Sequence, residues 1–217
     1  FTNSGKFTLL NSLTHATPEI ASYELTTKNP EQGILDYAGV QIQLVENPAI
    51  DSEYFDKSLT DTTDTLIIII KNLEQLKKIN QKLKQTTKKI IIFNTFKELS
   101  KEENRKLSAN LNSNKLNYFI FSSDKKQDFS ELKEKMFNSF DKIRVYTKEP
   151  GKEPDMKKPV VLDKNSTVEQ VAEKILKGLS KKIKQTKLTG PSSKFPNQTV
   201  GLKHILKDKD IVEFKTG

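Results

Sequence analysis

Two apolar runs, Leu66-Ile67-Ile68-Ile69-Ile70 and Ile90-Ile91-Ile92-Phe93, constrain this chain more than any other feature. A strand with one wet face alternates apolar and polar residues. A β-branched run with no polar position predicts a strand covered on both faces, as in the middle of a parallel sheet. Parallel neighbours need crossovers, and helix-like segments stand between and after the runs. Leu73, Leu76, Ile79 and Leu83 recur at helical spacing. Ser100 with Glu103 reads as a capping box opening a helix over 101–111. "LNYFIFSS" reads as a further strand and "DFSELKEKMFNSF" as a further helix. Strand and helix in alternation at this spacing predict a parallel α/β sheet with right-handed crossovers and helices on both faces. Upstream, "KFTLLNSL" reads as a short amphipathic helix. "ILDYAGVQIQLVE" reads as two strands about a turn at Ala38-Gly39.

From Lys142 onward the character changes. "KIRVYTK" reads as a strand, followed by a turn-rich stretch. "PVVLDKNSTVEQVAEKILKGL" reads as a strand and a helix capped at Ser166 or Thr167, with Val168, Val171, Ala172, Ile175 and Leu179 along one face. A turn and a closing strand, Ile211–Phe214, end the chain. Short strands around one helix in about 75 residues suggest a ubiquitin-like β-grasp module. Residues 142–217 hold 18 Lys and Arg against 9 Asp and Glu, which is the whole +9 excess of the chain. A neutral part, 1–141, joined to a basic part, 142–217, predicts two domains with different partners. The basic part suits an anionic polymer.

Composition removes several chemistries. There is no Cys, hence no disulfide, thiolate nucleophile or thiolate metal site. The two histidines, His15 and His204, are far apart in sequence, which argues against a His-based metal cluster. His204 reads as a turn residue. The longest apolar run is far too short to span a bilayer. The expectation is a soluble, cytoplasmic, monomeric protein with no membrane partner.

Ligands in such sheets bind at the C-terminal ends of the strands. Five loops fall there, and the opening stretch "NSGKF" is the first. Backbone N–H groups of a glycine loop and of a helix N-terminus cradle phosphates, and Lys6 reaches the outer ones. A full phosphate loop also has an earlier Gly, which would precede Phe1, and a hydroxyl residue after its Lys, where this chain has Phe7.

These pieces in this order resemble the Obg/DRG group of translation-factor-class GTPases (developmentally regulated GTP-binding proteins). "NSGKFTLLNSLT" is similar to the family's N-x-G-K-S-T-L-L-N-x-L-T. "YELTTKNPEQGILDYAGVQIQLVENPAI" is similar to Y-x-F-T-T-x-x-P-x-x-G-x-x-x-Y-x-G-x-x-I-Q-L-x-D-x-P-G-I. "IIIFNTFKELS" stands where the guanine-reading N-K-x-D belongs, and "FSSDK" where the S-A loop belongs. Residues from Lys142 on resemble the TGS domain that ends these proteins. The resemblance implies a P-loop GTPase-like domain over 1–141 and a TGS-like β-grasp domain over 142–217. It also implies a strand ahead of Phe1 that would fill the sheet, hence a longer native protein, and leaves no room for the extra domain that DRG proteins insert.

The implied nucleotide site comprises Asn3, Ser4, Gly5, Lys6, Phe7 and Thr8, then Thr27, then Glu46 and Ala49. Asn94, Thr95 and Lys97 follow, and Ser122 and Ser123 complete it. GTP or GDP with Mg²⁺ are the implied ligands. Several positions depart from the pattern. Phe7 replaces the Mg²⁺-binding hydroxyl residue, Glu46 the motif Asp and Ala49 the motif Gly. Thr95 replaces the Lys that stacks on the base, and Lys97 the Asp that accepts from guanine. Metal candidates narrow to Thr8, Thr27 and Glu46. Lys177, Lys181, Lys182, Lys184 and Lys187 are candidate contacts to RNA phosphates on the ribosome. Three functions remain open: a ribosome- or RNA-associated GTP-binding protein with weakened hydrolysis, a slow GTPase holding Mg²⁺ differently, and a nucleotide-free scaffold. The scaffold would bind ribosome, RNA or a protein partner through its TGS-like domain.

Overall fold

The computed structural model describes residues 4–14, 31–83, 87–124 and 127–217. They fall into two compact units. The first is Phe1–Leu35 with Gln41–Phe140, and the second is Asp36–Val40 with Asp141–Gly217.

In the first unit the two apolar runs become β3 (Thr65–Ile70) and β4 (Lys88–Asn94). They pair in parallel with Ile68 opposite Ile91 and Ile70 opposite Phe93. A third parallel strand, β5 (Tyr118–Phe121), joins β4 on its other edge. Side chains alternate across a strand. Ile68, Ile70 and Ile91 therefore share one face, where they pack with Leu76 and Ile79 of α3 (Leu73–Lys82). Ile90 and Ile92 point to the opposite face and are fully buried as well. That double burial is what the unbroken runs predict. Helix α4 (Lys101–Ser113) opens on the expected capping box. Ser100 Oγ accepts from Glu103 N–H, and Ser100 N–H donates to the Glu103 carboxylate. Helix α5 (Ser130–Ser139) packs against β4 and buries Leu132, Met136 and Phe137.

Helix α1 is Lys6–Leu13. Strands β1 (Gln32–Tyr37) and β2 (Val40–Val45) form the hairpin read from the sequence. Among the described residues the hairpin is a sheet by itself, with no hydrogen-bonded ladder to β3. Helix α2 (Lys57–Thr62), unforeseen in the sequence, is capped by the Asp56 carboxylate, which accepts from Leu59 N–H.

The second unit is a five-stranded mixed sheet in the order β7-β6-β10-β8-β9. Its strands are β6 (Lys142–Lys148), β7 (Val160–Asp163), β8 (Ile183–Thr189), β9 (Gln198–Val200) and β10 (Asp210–Thr216). The first and last, β6 and β10, pair in parallel at the centre, and the other pairings are antiparallel. Helix α6 (Val168–Ile175) covers the sheet, which is the β-grasp arrangement. Its N-cap is Thr167, boxed with Gln170. Val168, Val171 and Ala172 are fully buried, but Ile175 is 45% exposed. Leu179 lies beyond the helix, in a short 3-10 turn, Leu179–Lys182. The apolar face is thus one turn shorter than its periodicity suggests, because the backbone becomes extended at Leu176 and Leu179 falls in the next turn, which Gly178 opens. The hairpin tip belongs to this unit. A side chain on Gly39 (φ 80) would collide with Lys157 O and Pro159, and Arg144 lies 5.6 Å from the Tyr37 ring centre.

A candidate phosphate cleft at the start of the first helix

At the N-terminus of α1 lies a cleft of about 550 Å³, lined by Ser4, Gly5, Lys6, Phe7, Thr8, Glu46, Ala49, Ser52, Phe96 and Ser123. Four of the five candidate loops thus contribute to it. Asn3 and Thr27 lie outside the described residues.

The floor is set by Gly5. It caps α1 with φ 95, a left-handed backbone that a side chain strains. A Cβ there would also collide with Asn94 Nδ2. Asn94 ends β4 and is 1% exposed. Its amide donates to Ser4 O at 2.9 Å and its carbonyl accepts from Phe96 N–H at 2.9 Å. The side chain therefore clamps the opening loop to the fourth loop, and Gly5 is what lets them approach. Ser4 is 1% exposed, and its hydroxyl is a buried polar atom with no hydrogen-bond partner. A buried group left unpaired costs about 1–3 kcal/mol. Beside the uncapped N–H groups of α1, that hydroxyl is a donor suited to an oxyanion.

Lys6 and Glu46, at the end of β2, form an ion pair at 3.8 Å. Burial raises the Glu46 carboxyl above its ordinary value, against the pull of Lys6, and Glu31 adds a further push upward. Lys6 is thus more than a solvated helix-start lysine. Phe7 is 54% exposed at the cleft and does not pack away on the sheet. Ala49 lines the cleft, and its carbonyl accepts from Ser52 N–H in a tight turn.

In the fourth loop the Thr95 hydroxyl donates to Lys97 O at 2.7 Å, and Lys97 N–H closes onto Thr95 O at 2.6 Å. This holds Phe96 at φ 58, a strained conformation costing about 1–2 kcal/mol for a bulky residue. Lys97 itself is exposed. In the fifth loop Ser122 is drawn inward, with its hydroxyl on Asp124 at 2.5 Å, and Ser123 faces the cleft. Sequence reasoning missed Asn47, whose amide bonds both the N–H and the C=O of Asp56 and so fixes the loop carrying Ala49 and Ser52. It also missed Phe96; a bulky residue inside an Asn-Thr-x-Lys turn was the available signal.

For a cation, Thr8 and Glu46 are the candidate oxygen donors that line the cleft. Phe7 has no ligand atom at the position where the resemblance implies one. Among the described residues no group of three His, Asp or Glu is arranged to hold a metal. Mg²⁺ can be held by one or two protein oxygens plus phosphates, but Glu46 is already paired with Lys6. The donor set is one hydroxyl poorer than the resemblance implies, whereas Ser4, Gly5 and Lys6 of the anion-binding loop line the cleft.

In the second unit Lys177 precedes the 3-10 turn, Lys181 and Lys182 lie in it, and Lys184 and Lys187 lie on β8. An odd separation puts Lys184 and Lys187 on opposite faces of the strand. Lys187 is 3.8 Å from the Glu213 carboxylate, and the other four are exposed. The five therefore do not form one patch. His204 serves structure, with its Nε2 3.1 Å from Ser192 Oγ, which in turn donates to buried Asp210. Among the described residues no helix is long and apolar enough to cross a membrane.

Comparison with known proteins agrees with this architecture. A family model described as a 50S ribosome-binding GTPase matches residues 1–148, and a TGS domain model matches residues 143–216. An uncharacterized GTP-binding protein of Methanocaldococcus jannaschii is 23% identical over 294 positions, covering 98% of this chain and 75% of the relative. GTP-binding protein 1 of Schizosaccharomyces pombe is 24% identical, with 100% and 81% covered. Human developmentally-regulated GTP-binding protein 2 is 22% identical, with 98% and 80% covered. These alignments are longer than the 217 residues here, so the relatives carry a stretch inside the aligned span that this chain lacks. On this evidence the chain belongs to the 50S ribosome-binding GTPase family, with a TGS domain as its C-terminal third.

Proposed function

We propose that the cleft binds GTP or GDP through its phosphates, that hydrolysis is slow, and that the TGS unit contacts ribosomal RNA. The observation that carries the nucleotide reading is the buried, unpartnered Ser4 hydroxyl at the start of α1, beside Lys6. The α1 N–H groups and Ser4 take a phosphate oxygen. Lys6 leaves Glu46 to neutralise the outer phosphate. A bound magnesium ion would supply further charge neutralisation, with Thr8 and Glu46 as its available protein oxygens. Phosphoryl transfer is accelerated by positioning and charge neutralisation. The Phe7 side chain takes no part in either, which supports weakened turnover.

The RNA reading is supported by the confinement of the excess positive charge to the last third and by exposed Lys177, Lys181, Lys182 and Lys184. It describes a cytoplasmic protein whose nucleotide state modulates a ribosome contact. Titration calorimetry of the full chain with GTP and GDP, with and without Mg²⁺, tests the cleft. Micromolar heats support the reading, and no binding at millimolar nucleotide overturns it in favour of a nucleotide-free scaffold.

A further inference from the structure

The cleft has an anion end and an aromatic end. Ser4, Gly5 and Lys6 form the first. Phe7, 54% exposed, is one aromatic on the cleft lining, and the second end is formed by Phe96, 37% exposed. Its backbone is pinned in the left-handed region by the Thr95, Lys97 and Asn94 hydrogen bonds. The ammonium of Lys71, just past β3, lies 4.3 Å from the ring centre. A strained bulky residue persists only where its surroundings over-determine it, and here the result is an aromatic side chain on the cleft lining, with a cation already seated over its ring. The edge-reading side is poor by contrast. Guanine offers N1–H and N2–H donors, which a carboxylate accepts. Among the described residues lining the cleft the one carboxylate is Glu46, and it is engaged at the anion end. The fourth loop offers instead a Thr95 hydroxyl already spent and an exposed Lys97 that only donates.

We propose that Phe96 is the base platform of the cleft: it stacks a purine ring without reading its edge, so the site takes adenine and guanine nucleotides alike. Stacking tolerates any base because every base has a π face. Specificity is thereby lost while affinity is kept. This rests on the cleft binding phosphates, as argued above.

The test is titration of the full chain with GTP, ATP and inorganic tripolyphosphate, the last being a probe with no base. The wild-type protein is expected to bind GTP and ATP within about threefold of each other. Phe96→Ala is expected to weaken both about tenfold and to leave tripolyphosphate unchanged, which also shows that the variant is folded. Phe96→Tyr is expected to restore both nucleotides. A guanine preference above about tenfold would overturn the proposal, as would Phe96→Ala leaving nucleotide affinity unchanged. Equal losses for nucleotide and tripolyphosphate would overturn it too, by showing a structural role. If no ligand binds, the phosphate reading of the cleft fails first and takes this proposal with it.

Discussion

Single atoms decide the cleft. Gly5→Ala adds a Cβ at φ 95 against Asn94 Nδ2. It should abolish tripolyphosphate binding in calorimetry and lower stability by at least the roughly 1–2 kcal/mol of a left-handed side chain. Glu46 sits across from Lys6, and an arriving phosphate competes with it. Glu46→Gln should tighten magnesium-free tripolyphosphate binding about fivefold at neutral pH, since like charges about 4 Å apart cost roughly 1 kcal/mol in water. The sign with pH follows from linkage. The carboxyl is already raised by burial, and a bound anion raises it further, so binding takes up a proton. Affinity for sulfate, whose own charge is constant, should fall as pH rises from the raised Glu46 value into the bound one. The Gln variant should flatten that slope. In the second unit, Arg144 is buried and grips Asp208 through Nε (3.1 Å), Nη2 (2.7 Å) and backbone N–H (2.7 Å). Burial pushes Asp208 upward, but the Arg144 hydrogen bonds and charge outweigh it and hold the carboxyl below 3.8. Its stabilisation is therefore present above pH about 4 and lost as pH falls through the lowered value. Asp208→Asn removes the carboxylate from a buried guanidinium that keeps its Tyr37 contact, and should cost about 1–3 kcal/mol in chemical denaturation, with less acid sensitivity thereafter.

Elements were legible wherever a local pattern was strong. The Ile runs, the α3 periodicity and the Ser100–Glu103 box each encode their structure within a dozen residues, and each forms as expected. Ser100→Ala should cost about 1 kcal/mol and speed amide exchange in the first turn of α4. Strand β8 escaped notice because its buried positions, Thr186 and Leu188, are interleaved with Lys184, Gln185 and Lys187, which read as a charge run. Helix α2 has six residues and one buried side chain, too few for a period. The cleft was legible as a set of loops, since the turn residues and glycines that place it are local. The Lys6–Glu46 pair, the Asn94 clamp and the orphaned Ser4 hydroxyl were not, because each joins residues far apart in sequence and depends on how the strands come together. Asn47→Ala makes the same point: removing two bonds to Asp56 should loosen the loop bearing Ala49 and weaken phosphate binding, visible as faster exchange across 47–56.

At the scale of the molecule, charge is the widest signal. The +9 excess lies wholly in residues 142–217, and contacts to phosphates release counterions. Reversing Lys181, Lys182 and Lys184 to Glu together should reduce the salt slope of RNA binding by about 3, measured by anisotropy across a salt series. An unchanged slope would count against the RNA contact. The second unit has one further property, which concerns its order of birth. Asp36–Val40 is part of it, yet about a hundred residues of chain separate that tip from Asp141. Synthesis at about 5–20 residues per second leaves the tip waiting roughly 5–20 s for the strands it will join. Until Lys157 and Pro159 arrive, Gly39 has nothing to pack against. A fragment beginning at Asp141 lacks the same five residues, and with them the Gly39 backbone that meets Lys157 and Pro159.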